Sequence, residues 1–241
     1  MQCVILAGGL ATRMRPITEK IPKSLLPIRS PEGGEKPFVD YQIEYLRKQG
    51  VSDLVFCIGY KGEMLKEHLE ESSLHGVSIC FSDEGENLRG TGGALRLAYE
   101  QGLLKERFFV TYGDSFLPID FRAVWQDFIS HDDPALMTVL ENFNQWDQSN
   151  AIYQSNQVVL YDKKATPKPP QMKFIDYGLS AMKRDVVRDF IVSGQVCDLA
   201  SVFRELSLLG KLRGFLVKQR FYEVGSFEGL AQFEQYLTLG N

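Results

Sequence analysis

The chain has 241 residues, 44% of them hydrophobic and 24% charged, with a net charge of −4. That is enough apolar material for one large packed domain, and it excludes a disordered or collagen-like chain. It also excludes a global basic field for nucleic acid or an anionic membrane, so positive charge for a phosphate ligand has to be concentrated locally.

The first predicted element is a buried strand, Cys3-Val4-Ile5-Leu6. It runs into Ala7-Gly8-Gly9-Leu10-Ala11-Thr12-Arg13, where glycines let a ligand come within contact distance of the backbone. Thr12 adds a hydroxyl, and Arg13, Arg15, Lys20 and Lys23 add positive charge; Lys23 follows Pro22 and precedes an apolar run. A strand, a glycine turn with free N–H groups and then cations is a physical recipe for holding a polyphosphate. The loop is not a P-loop, because no Gly-Lys-Ser/Thr ends it, and the dinucleotide fingerprint Gly-x-Gly-x-x-Gly is absent.

Residues 30–36 are rich in Pro, Gly and charge and read as a connection. An amphipathic helix follows over Phe38–Leu46, with Gly50 placed to end it. Strand Leu54–Gly59, helix Lys61–Glu71 and strand Val77–Phe81 come next, then a loop over Asp83–Gly93 and a helix over Ala94–Tyr99. Phe108–Tyr112 is a strand, Phe121–Ile129 a helix and Ala135–Leu140 a strand. Strand and helix alternate over the first 140 residues, which calls for an α/β fold whose mainly parallel sheet is covered on both faces.

The rhythm then changes. Ala151–Tyr153 and Val158–Tyr161 flank Ser155-Asn156-Gln157 as a hairpin, and the prolines of 166–171 mark a surface loop. Met172–Met182 and Leu212–Val217 read as strands; Val186–Val192, Leu199–Leu209 and Phe227–Leu237 read as helices, the last capped by Ser226. There is no internal repeat and no hexapeptide repeat. Cys3, Cys57, Cys80 and Cys197 form no Cys-x-x-Cys pair, and the first three lie in strand-like runs, so buried free thiols are expected. His68, His75 and His131 are scattered and read as surface residues. With no signal peptide or membrane-length apolar run in view, a cytoplasmic location is expected.

Asp114 stands at the carboxyl end of the Phe108–Tyr112 strand, where ligands bind in open parallel sheets. An acid facing a phosphate loop calls for a cation between them, and Mg²⁺ takes one or two carboxylates plus phosphate oxygens and water. Gly90-Thr91-Gly92-Gly93 before a helix offers free N–H groups, and Glu84 offers a carboxylate acceptor for base N–H groups.

The stretch from Leu6 to Pro16, with Pro22-Lys23-Ser24-Leu25-Leu26-Pro27, resembles the signature of the sugar-1-phosphate nucleotidyltransferases. Ala11 departs from the glycine usual there. Tyr112-Gly113-Asp114-Ser115 resembles that family's metal motif, and Glu223-Val224-Gly225-Ser226 its late motif, where Asp is commoner than Glu. Asn150, Asp162-Lys163 and Asp176-Tyr177-Gly178 resemble its sugar-side segments, with Asp162 where Glu is commoner and Asp176 where Asn is commoner.

The resemblance implies a Rossmann-like fold of the nucleotide-diphospho-sugar transferase type in a single domain. Residues 1–140 would form the nucleotide-binding half and 141–241 the sugar-binding half. It implies transfer of a nucleotidyl group from an NTP to a sugar 1-phosphate, with Arg13, Lys23 and Asp114 catalytic and Mg²⁺ on Asp114 and Glu223. Leu6, Ala7, Gly8, Gly9, Thr12, Arg13, Lys23, Glu84, Gly90 and Thr91 would take the nucleotide. Gly92, Asp114, Asn150, Lys163, Asp176 and Gly178 would take the sugar phosphate. The run Gly85–Leu95 looks most like heptose- and mannose-1-phosphate guanylyltransferases, which points to GTP. Thymidylyl- or uridylyltransferases for hexose or muramate 1-phosphate are alternatives of the same class; a family member acting as a non-catalytic nucleotide-sugar-binding regulatory subunit is the alternative of another class. Association into a homo-oligomer stays open.

Overall fold

The structure, a computed structural model, describes residues 1–9, 14, 16–31, 33–72 and 76–239. Thr12, Arg13, Ala11 and Arg15, singled out above, lie outside the described residues, as does His75. Strand β1 (Gln2–Leu6) is buried along its length. Short 3-10 turns at Ile17–Glu19 and Lys23–Leu25 precede a small hairpin, β2 (Pro27–Arg29) with β3 (Glu35–Pro37), which brackets the stretch read as a plain connection. Helix α1 (Phe38–Lys48) ends as expected, with Gly50 at φ +86 just past its C-cap.

Next come β4 (Asp53–Ile58), α2 (Gly62–Glu71), β5 (Ser78–Asp83) and α3 (Gly90–Glu100). The last begins four residues before the expected Ala94: the glycines of the expected loop form its first turn. Then follow β6 (Arg107–Tyr112), β7 (Ser115–Phe116), α4 (Phe121–Ile129), β8 (Ala135–Glu141), and the hairpin β9 (Ala151–Gln154) and β10 (Gln157–Tyr161). The second half closes with β11 (Phe174–Lys183), α5 (Arg184–Phe190), α6 (Leu199–Leu208), β12 (Leu212–Val217), β13 (Tyr222–Glu223) and α7 (Phe227–Thr238). Side chains of Asp120, Asp198 and Ser226 cap α4, α6 and α7, each accepting from backbone N–H groups of the first turn.

Nine strands form one sheet in the order β5-β4-β1-β6-β11-β8-β12-β10-β9. The pairs β1–β4, β1–β6, β4–β5 and β8–β12 are parallel, whereas β11 runs antiparallel to both β6 and β8. Strand β10 is likewise antiparallel to β12 and β9, so the sheet is mixed: most strands run the same way, as expected, and β10 and β11 oppose them. Its order reverses at β1, because the chain builds outward through β4 to β5 and then returns to place β6 on the other side of β1.

Alternation along the strands feeds two cores. Val4, Val110 and Met137 face one layer with α3, α5 and α6, while Cys3, Ile5, Phe109 and Leu136 face the other with α1, α2 and α4. Both faces are covered, which is why the strands read as continuous apolar runs. A third cluster joins Phe38, Phe116 and Phe233, with the Phe233 ring 4.9 Å from Phe116 and 5.3 Å from Phe38. Phe233 is the fully buried residue of α7, and burying it contributes roughly 1.5–3 kcal/mol toward docking that helix.

Two expectations need correcting. Cys3 and Cys57 are buried, but Cys80 is exposed because β5 is the outer strand of the sheet. His68 is not free on the surface: its Nε2 lies 2.8 Å from Asp40 Oδ1 and ties α2 to α1. No described helix is long and apolar enough to cross a membrane.

Candidate active site

The site grows from the carboxyl ends of the two central strands. Beyond β1 the ladder continues one residue, with Ala7 N–H donating to Cys57 O at 2.8 Å, and Gly113 N–H after β6 donating to Leu6 O at 2.9 Å. The two strand ends are thereby held side by side. Gly113 permits this: a Cβ there would lie 2.9 Å from Ala7 Cβ and 3.0 Å from Ser24 Oγ. Ser24 Oγ donates to Gly113 O at 3.0 Å and so fixes the 3-10 turn that starts at Lys23. Lys23 Nζ donates to Asp114 Oδ2 at 2.8 Å, and both side chains are partly exposed.

Leu6, Ala7, Gly8, Gly9, Lys23, Glu84, Gly90, Thr91 and Asp114 line one cavity of about 240 Å³. Every described residue assigned to the nucleotide from sequence is therefore in one place. Leu88, Cys57 and Tyr112 also line it and were not assigned to the nucleotide from sequence. Gly8 lets the Glu84 carboxylate close in, since a Cβ on it would sit 2.5 Å from Glu84 Oε1. Glu84 Oε2 accepts from Arg89 N–H at 2.8 Å, while burial raises the carboxyl above its ordinary value against that hydrogen bond. Burial, and then the nearby Glu84 charge, push the Cys57 thiol up to about 12.

The first turn of α3 is occupied by the protein itself. Gly92 and Gly93 N–H groups both donate to Cys197 O, at 2.9 and 3.2 Å. Thr91 Oγ1 donates to Asp198 Oδ1 at 2.9 Å and accepts from Leu199 N–H at 2.8 Å. Gly92, assigned to the sugar phosphate from sequence, thus lies against the loop before α6, where a Cβ would meet Cys197 Sγ at 2.9 Å. It lines neither cavity described here. A strand-and-helix reading cannot anticipate a loop from more than a hundred residues away.

A second cavity, about 570 Å³, gathers the sugar-side residues Asn150, Lys163, Asp176 and Gly178 together with Glu223, whereas Asp114, also assigned to the sugar phosphate from sequence, lines the first cavity. Tyr112 forms a wall of both cavities. Asn150 Oδ1 accepts from Asp176 N–H at 2.9 Å, and Asp176 Oδ1 accepts from Gly178 N–H at 3.0 Å. Gly178 has φ +102, a backbone region disfavoured for other residues, and the β11–β8 register shifts between Asp176 and Ser180. Burial raises the Asp176 carboxyl, and the Lys163 charge works against that rise. Asp162 turns instead to Arg204, 2.9 Å away, which lowers its carboxyl and leaves Lys163 as the member of the pair that lines the cavity.

Trp146 and Lys168 also line this cavity and were not singled out from sequence. The Arg220 guanidinium lies between two rings, 4.0 Å from the Trp146 centroid and 4.6 Å from that of Tyr222. Tyr177, the middle residue of the sugar-side segment Asp176-Tyr177-Gly178, is buried and donates its hydroxyl to Arg220 O at 3.3 Å.

Glu223 reaches Asp114 through the backbone. Strands β13 and β7 pair antiparallel with Glu223 opposite Ser115, and Val224 N–H donates to Asp114 O at 2.9 Å. The two acids thus sit on adjoining positions of one small ladder, Asp114 lining the first cavity and Glu223 the second. Among the described residues no group of three or more His, Cys, Asp or Glu could enclose a metal. Mg²⁺ asks for only one or two protein carboxylates and completes its shell with other oxygens and water, so Asp114 and Glu223 have the donor chemistry for it and not for a closed zinc-type site.

The family described as Nucleotidyl transferase matches residues 2–149. The D-glycero-alpha-D-manno-heptose 1-phosphate guanylyltransferase of Campylobacter jejuni is 31% identical over 192 residues, 79% of each chain. The mannose-1-phosphate guanyltransferase of Saccharomyces cerevisiae is 40% identical over 127 residues, 52% of this chain but only 33% of the yeast protein. A crystal structure of HddC from Yersinia pseudotuberculosis complexed with GMP-PN superposes with a TM-score of 0.74 over 98% of both chains at 23% identity, a likeness of fold.

Proposed function

Because this chain belongs to the nucleotidyl transferase family, we propose that it transfers a nucleotidyl group from an NTP to a sugar 1-phosphate and releases pyrophosphate. GTP with D-glycero-D-manno-heptose 1-phosphate or mannose 1-phosphate is the favoured pair, after the names of its relatives. The observation that carries the reading is the pair of cavities that share Tyr112 and are flanked by Asp114 on one side and Glu223 on the other. The first takes the nucleotide from residues of the amino-terminal half, and the second takes the sugar phosphate mainly from the carboxyl-terminal half.

An oxygen of the acceptor phosphate attacks the α-phosphorus. A new P–O bond forms, the bond from the α-phosphorus to its bridging oxygen breaks, and the electron pair leaves with pyrophosphate. Such a transfer needs no covalent enzyme intermediate, and its rate comes from positioning and charge neutralisation. Lys23, together with Arg13, holds the triphosphate and offsets charge on the leaving group. Lys163 steers the acceptor phosphate. Asp114 and Glu223 would hold Mg²⁺, which supplies charge neutralisation at the phosphates. Lys23 keeps Asp114 oriented toward the glycine turn, with the two side chains 2.8 Å apart. Glu84 offers an acceptor of the polarity that guanine N–H groups require.

The test is pyrophosphate release with Mg²⁺, each NTP against a panel of sugar 1-phosphates. Turnover favouring GTP and a heptose or mannose 1-phosphate is expected. Tight nucleotide-sugar binding without turnover for any pair would replace the enzyme by a regulatory subunit.

A further inference from the structure

Gln42 is a polar side chain where an apolar one would pack with less penalty. It sits on α1, 3% exposed, in surroundings that include Leu46, Phe116, Leu117 and Phe121. Its Nε2 donates to Tyr112 O and to Ser115 O, both at 2.8 Å. Those carbonyls bracket Gly113 and Asp114, so a single amide ties the last residue of β6 to the first of β7 across the turn that carries the acid. Two carbonyls converging on one group demand a donor with two N–H bonds, which fixes the amide's orientation. Reversed, its oxygen would face two other oxygens.

The remaining polar atom exposes the penalty. Among the described residues Gln42 Oε1 is buried without a protein partner, and so is Thr111 Oγ1. Both residues line a void of about 10 Å³, close to the least room a water needs. The other ties on this turn come from elsewhere: β1 through Leu6 O, the 3-10 turn through Ser24 Oγ, and β13 through Val224 N–H. Gln42 supplies the restraint from the α1 side.

We infer that Gln42 is the positioning residue for Asp114, its amide clamping both ends of the turn so that the carboxylate stays aimed at the phosphate cavity. The inference rests on the reading of Asp114 given under the proposed function. A looser turn leaves the nucleotide's other contacts in place and misplaces the group that acts on developing charge, so turnover suffers more than binding.

Two variants of the full chain test it. Gln42→Met keeps the length and removes both donors; Gln42→Glu keeps the shape and turns an acceptor toward two carbonyls. Amide hydrogen exchange of segment 111–117 and steady-state kinetics are measured together. For Gln42→Met, exchange in that segment is expected to rise about tenfold while β4 is unchanged, with kcat down about tenfold and KM for the NTP within about threefold. Gln42→Glu is expected to be worse on both counts, and Gln42→Asn, which keeps the amide but draws it back, to fall between wild type and Gln42→Met. Should Gln42→Met fail to fold, Gln42→Asn decides by the same two readouts. Unchanged exchange in 111–117, or a KM increase at constant kcat, overturns the inference. A wild-type chain without turnover overturns the proposed function instead, and exchange alone then judges the clamp.

Discussion

Lys23 Nζ stands 2.8 Å from Asp114 Oδ2, joining residues 91 apart in the chain, one opening a 3-10 turn and the other just past the end of β6. Neither side chain is fully buried, so the pair contributes little to stability on its own. It orients both groups toward one cavity. A polyphosphate draws the lysine and a divalent cation draws the aspartate, so ligand entry exchanges one set of opposite-charge contacts for another.

Asp114→Asn is expected to lower kcat by roughly 10²-fold or more, the scale seen when one preorganised electrostatic group is removed from a reaction centre. The melting temperature should stay near that of wild type, because the side chain is partly exposed and its backbone contacts remain. Pyrophosphate release and a thermal melt check this together. Near-normal turnover would remove Asp114 from the metal site.

Trp146→Ala should act on the acceptor alone. Trp146 lines the larger cavity and not the smaller, and it covers one face of Arg220. Loss of the ring on which Arg220 stacks weakens that wall by roughly 0.5–2 kcal/mol, a rise of about two- to thirtyfold in KM for the sugar phosphate, with KM for the NTP unchanged. Equal shifts in both KM values would show that the two cavities are not used separately.

Gly229→Ala should damage the ladder that carries Glu223. A Cβ on Gly229, in the first turn of α7, would run into the carbonyl oxygen of Glu223. Relieving that clash moves backbone, at about 1–3 kcal/mol for overpacking, and displaces the acid. A lower melting temperature together with a higher Mg²⁺ requirement for turnover is the expected pattern. A wild-type Mg²⁺ requirement would uncouple this contact from the site.

Asp176→Asn should alter the pH dependence of stability. Burial raises the native carboxyl, with Lys163 opposing, so the native state holds the proton more tightly than the unfolded chain does. The stability tied to this group is therefore present below the unfolded carboxylate value and is lost as pH rises through the raised native one. Asparagine does not titrate. Chemical denaturation from about pH 4 to about pH 7 should show the variant gaining on wild type as pH rises through that window. Parallel pH profiles would contradict the assignment.

Much of the fold was legible because its signals are local. The apolar runs of β1, β4, β6 and β8 alternate with helical periodicity, and Gly50 and Ser226 mark ends that need no distant partner. Position at a strand end also singled out Asp114, since β6 stops where Gly113 follows. Other features had no local signature. Cys80 resembles a core thiol until β5 proves to be the outer strand, and Trp146 and Lys168 sit in loops whose composition says nothing of a cavity.

The sequence by itself determined an α/β chain with a glycine turn, a placed lysine and an acid at a strand end, because turn chemistry and hydrophobic period act over a few neighbouring residues. Only the tertiary structure decided which of these meet. It set Glu223 opposite Ser115, brought Gln42 to the two carbonyls around Asp114, and covered the glycines of α3 with Cys197. Each is a contact between backbone groups or donors far apart in the chain. Backbone N–H and C=O groups are the same at every residue, so their partners are chosen by the packing of the whole sheet and its helices.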